Sequence, residues 1–380
     1  ATIAILSSMV LVTLVGAASI YAGKKDYIAS VAPHDYSVTG TNVDLTSTQK
    51  IMDDFLAQSG NQVNEKAEVT YLYFGIKEQE KNKLTIFPEN ERKVLPKSIF
   101  LVFSQATYKQ LTGKDLNLAS NQVGLFTKNK TLKDQKSLSF NGQTYQIQDD
   151  INDFIKGKVP NIFTIIVSDY NYLVVPDMDD FKESIKGTAT TQATYVGVNV
   201  KDPTHDAKKN SDLLDQMTDK ETQQLAGQTT GVSQSYLTAN SQYDTEGMLN
   251  GFVGGTLFIG IFLSIIFMLG TVLVIYYKQI SEGYEDRERF VILQKIGLDD
   301  LQVKQTIRKQ VLTVFFLPLI FAFIHLAFAY HMLSLIVRII GVFNPSLMLV
   351  VTIIVCGVFF LAYVLVFALT SRSYRRIVSM

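Results

Sequence analysis

The stretch YYKQISEGYEDRERFVILQKIGLDDLQVKQTIRKQ, from Tyr276 to Gln310, decides how the rest of the chain is organised. It lies between two long apolar runs and holds 7 of the 11 Lys and Arg residues that follow residue 246. Its apolar residues recur every three or four positions, which predicts two short amphipathic helices joined at Gly297. Gly297 suits the left-handed position that closes a helix, and Asp299 suits the N-cap of the next one. Either a solvated loop or a segment covered by lipid or a partner protein fits this pattern.

Charge divides the chain into two parts. Residues 1–246 carry 24 Lys and Arg against 29 Asp and Glu, whereas residues 247–380 carry 11 against 6. The overall net charge of zero therefore hides an acidic, polar part and a basic, apolar part.

Four charge-free runs are each long enough to cross a hydrocarbon core of about 30 Å. We predict a membrane protein of four transmembrane α-helices with a large extracytoplasmic α/β domain between the first and the second. The predicted helices are 1–23, 247–277, 311–337 and 346–370, and the other segments are the domain at 24–246, a cytosolic segment at 278–310 and a cytosolic tail at 371–380. In the second helix, Gly251 and Gly255 form a GxxxG pair, which is typical of a helix-packing face.

The distribution of basic residues predicts the orientation. Of the 11 Lys and Arg after residue 246, 10 lie in residues 276–310 or in the tail. The positive-inside bias places both segments in the cytosol. Because the chain has four predicted spans, residues 24–246 are then expected outside.

The polar domain shows local signals of both helix and strand. Thr46 or Ser47 is a candidate N-cap, and Asn141-Gly142 between two apolar stretches predicts a hairpin. We expect a turn at Asp169–Asn171. Predicted strands are 69–76, 98–103, 162–167, 172–175 and 193–200, and predicted helices are 46–58, 105–111, 177–186 and 204–225.

Several kinds of chemistry are not indicated by the sequence. It contains no GxxxxGK[ST] phosphate-binding loop, HExxH motif or paired CxxC motif, and Cys356 is its single cysteine. We therefore expect no catalytic residue, metal site or bound cofactor, and no nucleic-acid partner. Four lysines form a basic patch: Lys128, Lys130, Lys133 and Lys136. This patch could attract an anionic headgroup or pyrophosphate, although such a run of charge is more commonly a solvated face.

The segment EDRERFVILQKIGL, residues 285–298, resembles the cytosolic signature of FtsX/MacB-like permeases of ABC transporters. The longer string from Tyr276 is similar to the bacitracin-exporter-type, BceB-like branch. ATIAILSSMVLVTL, at the start of the chain, resembles the helix that precedes the large outer domain in that branch. In that family six further helices come before it, so the resemblance implies the C-terminal part of a ten-helix permease.

The resemblance also implies a function. The chain would be the permease subunit of an ABC transporter in the plasma membrane of a Gram-positive bacterium, and a separate ATPase subunit would bind ATP. Its outer domain would act in resistance to, or sensing of, antimicrobial peptides, with a peptide antibiotic or lipid-linked cell-wall precursor as ligand and a sensor histidine kinase as a further partner. The residues expected to contact the ATPase are Arg287, Arg289, Phe290, Leu293, Lys295 and Gly297. Two alternatives stay open: an FtsX-type regulator of a wall hydrolase, and a membrane-anchored receptor without an ATPase.

The predicted orientation can be tested by cysteine accessibility. In a Cys356→Ala background, we expect an impermeant thiol reagent to label Asn129→Cys on intact cells and to label Glu288→Cys only after permeabilisation. Labelling of Glu288→Cys on intact cells would contradict the orientation.

Overall fold

The computed structural model describes residues 2–91, 96, 98–160, 169–226, 234–295, 300–339 and 344–378. Within these, only the backbone is described at 149–150, 279, 282, 286–291, 293–295, 300–304, 306–308, 310–311, 314, 339 and 370–378. The chain divides into two compact units. The helical unit comprises Ala1–Asp26 and Leu249–Met380, and the sheet unit comprises Tyr27–Met248.

Nine helices and ten strands are defined in the described residues. In chain order they are α1 (Thr2–Val31), β1 (Tyr36–Thr41), α2 (Leu45–Ser59), β2 (Val63–Glu80), β3 (Lys83–Ile86), β4 (Ser98–Ser104), α3 (Gln105–Thr112), β5 (Gln122–Thr127), α4 (Lys130–Lys133), β6 (Ser137–Phe140), β7 (Gln143–Asp150), β8 (Asp169–Val175), α5 (Met178–Ser184), β9 (Thr190–Val200), α6 (Ala207–Ala226), β10 (Tyr236–Ser241), α7 (Gln242–Lys295), α8 (Asp300–Ile339) and α9 (Pro345–Val378).

Four helices of the described chain are long and apolar enough to cross a membrane. The candidate spans are Thr2–Val31, Gln242–Glu285, Phe315–Arg338 and Pro345–Leu369. Together with the mixed sheet of the other unit, they agree with the coarse prediction of a helical membrane part and an α/β domain.

The helices extend well beyond the apolar runs. α7 is one helix of 54 residues, and α8 begins at Asp300 and continues through its apolar run. The prediction of two separate short helices in residues 276–310 is therefore wrong, because each stretch continues a long helix. Residues 278–295 contain no proline and are rich in Glu, Arg, Lys and Gln, which favour helix. The predicted break at Gly297 lies outside the described residues.

α1 is the central helix of the helical unit. Of its most apolar stretch, 56% is buried within the described chain, against 22% for α7, 17% for α8 and 22% for α9. It packs antiparallel to α7: the Thr13 and Ser264 hydroxyls share a hydrogen bond of 2.8 Å, and Lys24 donates to Asn250. α8 and α9 are joined by the Tyr363 hydroxyl, which donates to the Phe315 carbonyl over 2.9 Å.

The closest approach of α1 and α7 is at Gly260. A Cβ built there would lie 2.5 Å from the Cβ of Ala17, so only glycine fits without a shift. The expected packing face at Gly251 and Gly255 is not found among the described residues, because a Cβ at either position meets nothing within 4 Å. The GxxxG pattern predicted a close contact on the correct helix but at the wrong turn.

The sheet unit is built on one ten-stranded sheet in the order β10-β1-β9-β2-β3-β6-β7-β5-β8-β4. β4 also pairs with β2, so seven of the strands form a closed ring of pairings. β10, β1 and β9 continue the sheet on the other side of β2. β2 belongs to both parts because it is 18 residues long.

Side-chain alternation along β2 divides the apolar residues between two cores. Leu72, Phe74 and Ile76 pack in one cluster with residues of the closed ring, while Val69 and Tyr71 pack in another with α3 and β8. This is the two-residue period of a strand that is buried on both faces. A third cluster joins β1, β9 and β10 to α2 and α6.

Most local signals identified the correct elements. Asn141 and Gly142 adopt φ of 48° and 95° between β6 and β7, as a tight hairpin requires. Asp177 caps α5, as predicted, but the cap of α2 is Asp44, whose carboxylate accepts from the Ser47 amide over 2.8 Å. The predicted turn at Asp169–Asn171 is wrong, because these residues pair in parallel with Ser98–Phe100. The predicted strand at 162–167 lies outside the described residues.

The close contact at Gly260 predicts that valine there lowers the stability of the protein more than valine at Gly255 does. Gly260→Val should destabilise the protein by about 1–3 kcal/mol, because the added side chain overpacks the contact with Ala17. Gly255→Val is the matched control, since it introduces the same residue into the same helix at an open position. The thermal midpoint of the purified chain in detergent measures both effects, and equal losses would contradict the assigned contact.

Candidate functional site

The charged end of α7 is the first part of the candidate site. α7 continues for 18 residues beyond Tyr277, the end of its apolar run, which corresponds to about 27 Å of helix. α8 has 11 residues before its own apolar run, or about 16 Å. We call residues 278–295 and 300–310 the helical extensions.

The described side chains of the extensions include an apolar residue that the sequence pattern did not single out. Ile292 is 57% exposed and Tyr284 is 60% exposed, eight residues apart and therefore on similar sides of the helix. Five of the six predicted contact residues lie within α7, at positions where only the backbone is described: Arg287, Arg289, Phe290, Leu293 and Lys295. The sixth, Gly297, lies outside the described residues. Ile292 was missed because it falls outside the three-residue repeat of Phe290 and Leu293.

The second part is the junction, which we define as residues 31–36 and 240–242 of the sheet unit. β10 ends at Ser241 and α7 begins at Gln242 with no loop between them. The Gln242 amide donates to the Asp35 carbonyl over 2.9 Å, and the Asn240 side chain donates to the Val31 carbonyl over 3.2 Å. The Asp35 carboxylate accepts from the Val200 amide over 2.8 Å, which ties the junction to β9.

The start of α7 is fixed by hydrogen bonds between Ser241 and Asp244. Ser241 accepts from the Asp244 amide over 3.1 Å, and its hydroxyl donates to the Asp244 carboxylate over 2.8 Å. Ser211 of α6 donates to the same carboxylate, so α6 is attached to this turn. Burial and the nearby carboxylates of Asp244, Asp219 and Asp212 raise the pKa of Asp215 on the same helix.

A buried histidine lies inside the junction. His34 is 3% exposed, and its Nδ1 shares a hydrogen bond of 2.7 Å with the Tyr195 hydroxyl. Burial lowers the pKa of His34 below its ordinary value, while the carboxylates of Glu65 and Asp35 oppose that change. Gly197 leaves room for the pair, since a Cβ there would lie 2.6 Å from His34 Nδ1.

All four lysines of the patch are exposed: Lys128 before α4, Lys130 and Lys133 on α4, and Lys136 after it. Lys128 also lies over the Tyr170 ring at 4.5 Å and donates to the Tyr170 hydroxyl. Burial raises the pKa of the nearby Asp153, and the charge of Lys128 opposes this rise.

The described residues contain no group of three or more His, Cys, Asp or Glu side chains placed to hold a metal ion. The polar groups that cluster at the junction instead bond to one another and to the backbone. Their arrangement is suited to holding helices and strands together, and their chemistry is that of structural hydrogen bonds.

Comparison with known proteins shows similarity to bacterial permeases. No protein-family model matches the chain. It is 35% identical over 79 residues to the ABC transporter permease protein YxdM of Bacillus subtilis. That alignment covers 21% of this chain and 13% of YxdM. Over 138 residues it is 28% identical to the bacitracin export permease protein BceB of the same organism, and this alignment covers 36% of this chain and 19% of BceB. The ABC transporter permease YvcS of Bacillus subtilis is 30% identical to this chain over 122 residues, and this alignment covers 32% of this chain and 18% of YvcS.

These alignments span less than a fifth of the length of each relative. Among solved structures, the chain is similar to a lipoprotein of Bacillus anthracis at 10% identity and a TM-score of 0.27, over 46% of this chain and 92% of that one. That score is too low to indicate a shared fold.

The buried histidine predicts a pH dependence of stability. A His whose pKa is lowered in the folded state contributes stability that is complete above the unfolded value of 6.5 and is lost as pH falls through the folded pKa. We expect the melting midpoint of the purified chain to fall between pH 7 and pH 5, and His34→Gln to reduce that slope. His205→Gln, at an exposed position, is the control. An unchanged slope in His34→Gln would contradict the assignment.

Proposed function

We propose, from its similarity to ABC transporter permeases that include BceB, that the chain forms the outer domain and four membrane helices of such a permease. In this proposal it is a multi-pass protein of the plasma membrane of a Gram-positive bacterium. The sheet unit lies outside the cell and the helical extensions lie in the cytosol. ATP is bound and hydrolysed by a separate ATPase subunit, and the chain itself is not an enzyme.

The observation that carries the proposal is the continuity of α7. This helix joins the junction, the apolar span and the charged extension in 54 residues, or about 81 Å. It contains no proline, whereas α8 has Pro318 in its interior, which removes a backbone hydrogen bond and favours a kink. A displacement of the α7 extension therefore reaches the first turn of the helix without crossing a loop.

The junction supports the same mechanism at the other end. Because β10 continues directly into α7, movement of the helix acts on a strand that is paired with β1 over six residues. The Gln242 to Asp35 bond makes the end of α1 part of the same connection. We propose that the sheet unit changes its conformation or position when the ATPase moves the extension.

The helical extensions are the proposed ATPase contact. Arg287, Arg289 and Lys295 are the charged members of the proposed contact, and Phe290 and Leu293 are its apolar members. Gly297, the sixth predicted contact residue, lies outside the described residues. The exposure of Ile292 supports this assignment, because an apolar side chain on a charged helix gains free energy when a partner covers it.

The ligand proposal comes from the relatives. BceB is a bacitracin export permease by name. We propose that the sheet unit meets an antimicrobial peptide or a lipid-linked cell-wall precursor, and that its movement releases the peptide or informs a sensor histidine kinase. The exposed lysines at 128, 130, 133 and 136 are candidate contacts for a pyrophosphate group.

Substitutions in the extensions test the coupling. Phe290→Asp places a charge in the proposed contact, and Gly297→Val disfavours a left-handed turn, so both should abolish ATPase association or peptide-stimulated ATP hydrolysis. Phe290→Leu and Gly297→Asn are matched controls, because leucine stays apolar and asparagine tolerates a left-handed backbone. Glu282→Gln, outside the proposed contact face, should have little effect.

The measurements are pull-down of the ATPase and its hydrolysis rate, with and without peptide antibiotic. Normal association and stimulation in both Phe290→Asp and Gly297→Val would rule out the coupling role. Association without any effect of peptides would favour a regulator of the FtsX type over a peptide-resistance permease.

A further inference from the structure

The short connection between α1 and β1 contains a buried histidine. α1 ends at Val31 and β1 begins at Tyr36, so residues 32–35 join the helix to the sheet. We call these four residues the linker. The side chain of His34 within it is 3% exposed. Histidine is the residue whose charge changes closest to neutral pH, so a proton taken up here places a charge inside the connection.

The linker is held by bonds on both of its sides. The Gln242 side chain donates to the Ala32 carbonyl over 3.2 Å, and the Gln242 amide donates to the Asp35 carbonyl over 2.9 Å. Towards β9, the Asp35 amide donates to the Asn199 side chain over 3.1 Å, and the Asp35 carboxylate accepts from the Val200 amide over 2.8 Å. The histidine therefore lies in a segment that joins the first turn of α7 to the end of β9.

Neutral hydroxyl groups are the immediate polar neighbours of the imidazole. Its Nδ1 shares the 2.7 Å bond with Tyr195, whose side chain is fully buried on β9. Burial raises the pKa of Tyr195, and a hydrogen bond from Ser37 on β1 opposes this rise. The Ser37 hydroxyl also reaches the Asn240 carbonyl of β10 over 3.5 Å. Because hydroxyls can donate or accept, this group of side chains accommodates an uncharged ring.

The titratable groups that face His34 come from the linker, β2 and β9. Burial lowers the pKa of His34, and the carboxylates of Glu65 on β2 and Asp35 in the linker oppose this change. β9 contributes Tyr195, and β2 contributes Tyr71 from the same apolar cluster. Burial raises the pKa of both phenols, so they stay neutral between pH 5 and pH 7.

Both carboxylates are already used to hold β9. Glu65 accepts from the Asn199 side chain over 3.0 Å, and Asp35 accepts from the Val200 amide. A charged imidazole attracts these carboxylates away from their present partners. It also places a charge in a site that excludes water, which costs free energy unless the charge is paired. Protonation therefore weakens the bonds that hold the linker in place.

We propose that His34 is a proton-operated switch, and that its protonation opens the linker from β9 and α7 while the rest of the sheet stays folded. In the open state the ring meets water, where its ordinary pKa of 6.5 applies. Because the closed linker has the lower pKa, its advantage is complete above pH 6.5 and is lost as the pH falls. The ratio of closed to open states falls by at most about tenfold for each pH unit.

Opening of the linker changes what a movement of α7 can reach. The bonds of Gln242 connect the start of α7 to the segment that follows α1, and the bonds of Asp35 connect that segment to β9. With the linker open, we expect acid pH to lower peptide-stimulated ATP hydrolysis without lowering ATPase association. This consequence rests on the proposed function, whereas the opening of the linker is a property of the chain alone.

Amide hydrogen exchange of the purified full chain in detergent tests the switch without an ATPase. The amides of Asp35, Val200 and Gln242 report on the linker, because each makes one of its bonds. After division by the intrinsic chemical rate, their exchange should be roughly fivefold faster at pH 5 than at pH 7. The amides of β4, in the closed ring, should change much less. Equal acceleration at β4 would mean global destabilisation and would overturn the switch.

Variants of the charged groups identify the histidine as the cause. His34→Gln should abolish the difference between pH 5 and pH 7, and His205→Gln, at an exposed position, should preserve it. Glu65→Gln removes a carboxylate that favours the charged ring but keeps an acceptor for Asn199, so the acceleration should begin at a lower pH. Glu78→Gln is the matched control, exposed near the other end of β2. A pH dependence that survives His34→Gln, or an unshifted onset in Glu65→Gln, would overturn the proposal.

Discussion

The antiparallel pairing of β1 with β10 is the constraint on which the rest of the structure depends. It joins residues 36–41 to residues 236–241, which are 200 positions apart in the chain. Because α1 ends just before β1 and α7 starts just after β10, this pairing brings the ends of two long helices to one place. The bonds from Gln242 and Asn240 to Asp35 and Val31 then hold that place together.

The sheet unit folds without a disulfide, so its stability rests on packing. β2 makes this possible because its 18 residues take part both in the closed ring and in the open part of the sheet. Alternate side chains of one strand reach two different cores, and a shift of one residue in register would exchange them. The aromatic residues concentrate in these cores, where Phe74, Phe100 and Phe140 contact one another.

The helical unit is held together by a different kind of contact. Among membrane helices, lipid is as apolar as the side chains, so close packing and hydrogen bonds decide which faces meet. α1 and α7 use both, since Gly260 admits Ala17 and the hydroxyls of Thr13 and Ser264 bond to each other. The extension of α7 beyond its apolar run turns this helix from a simple span into a connection between the junction and the charged segment.

By itself, the sequence determined which runs are apolar, where the charges lie and which turns are tight. These properties depend on neighbouring residues, and they gave the four spans, the Asn141-Gly142 hairpin and the Asp177 cap. Tertiary structure decided the rest: that residues 169–171 are strand, that Gly260 and not Gly251 makes the close contact, and that His34 is buried against Tyr195. Each of these depends on a partner far away in the chain, and a local pattern carries no information about which distant segment will supply it.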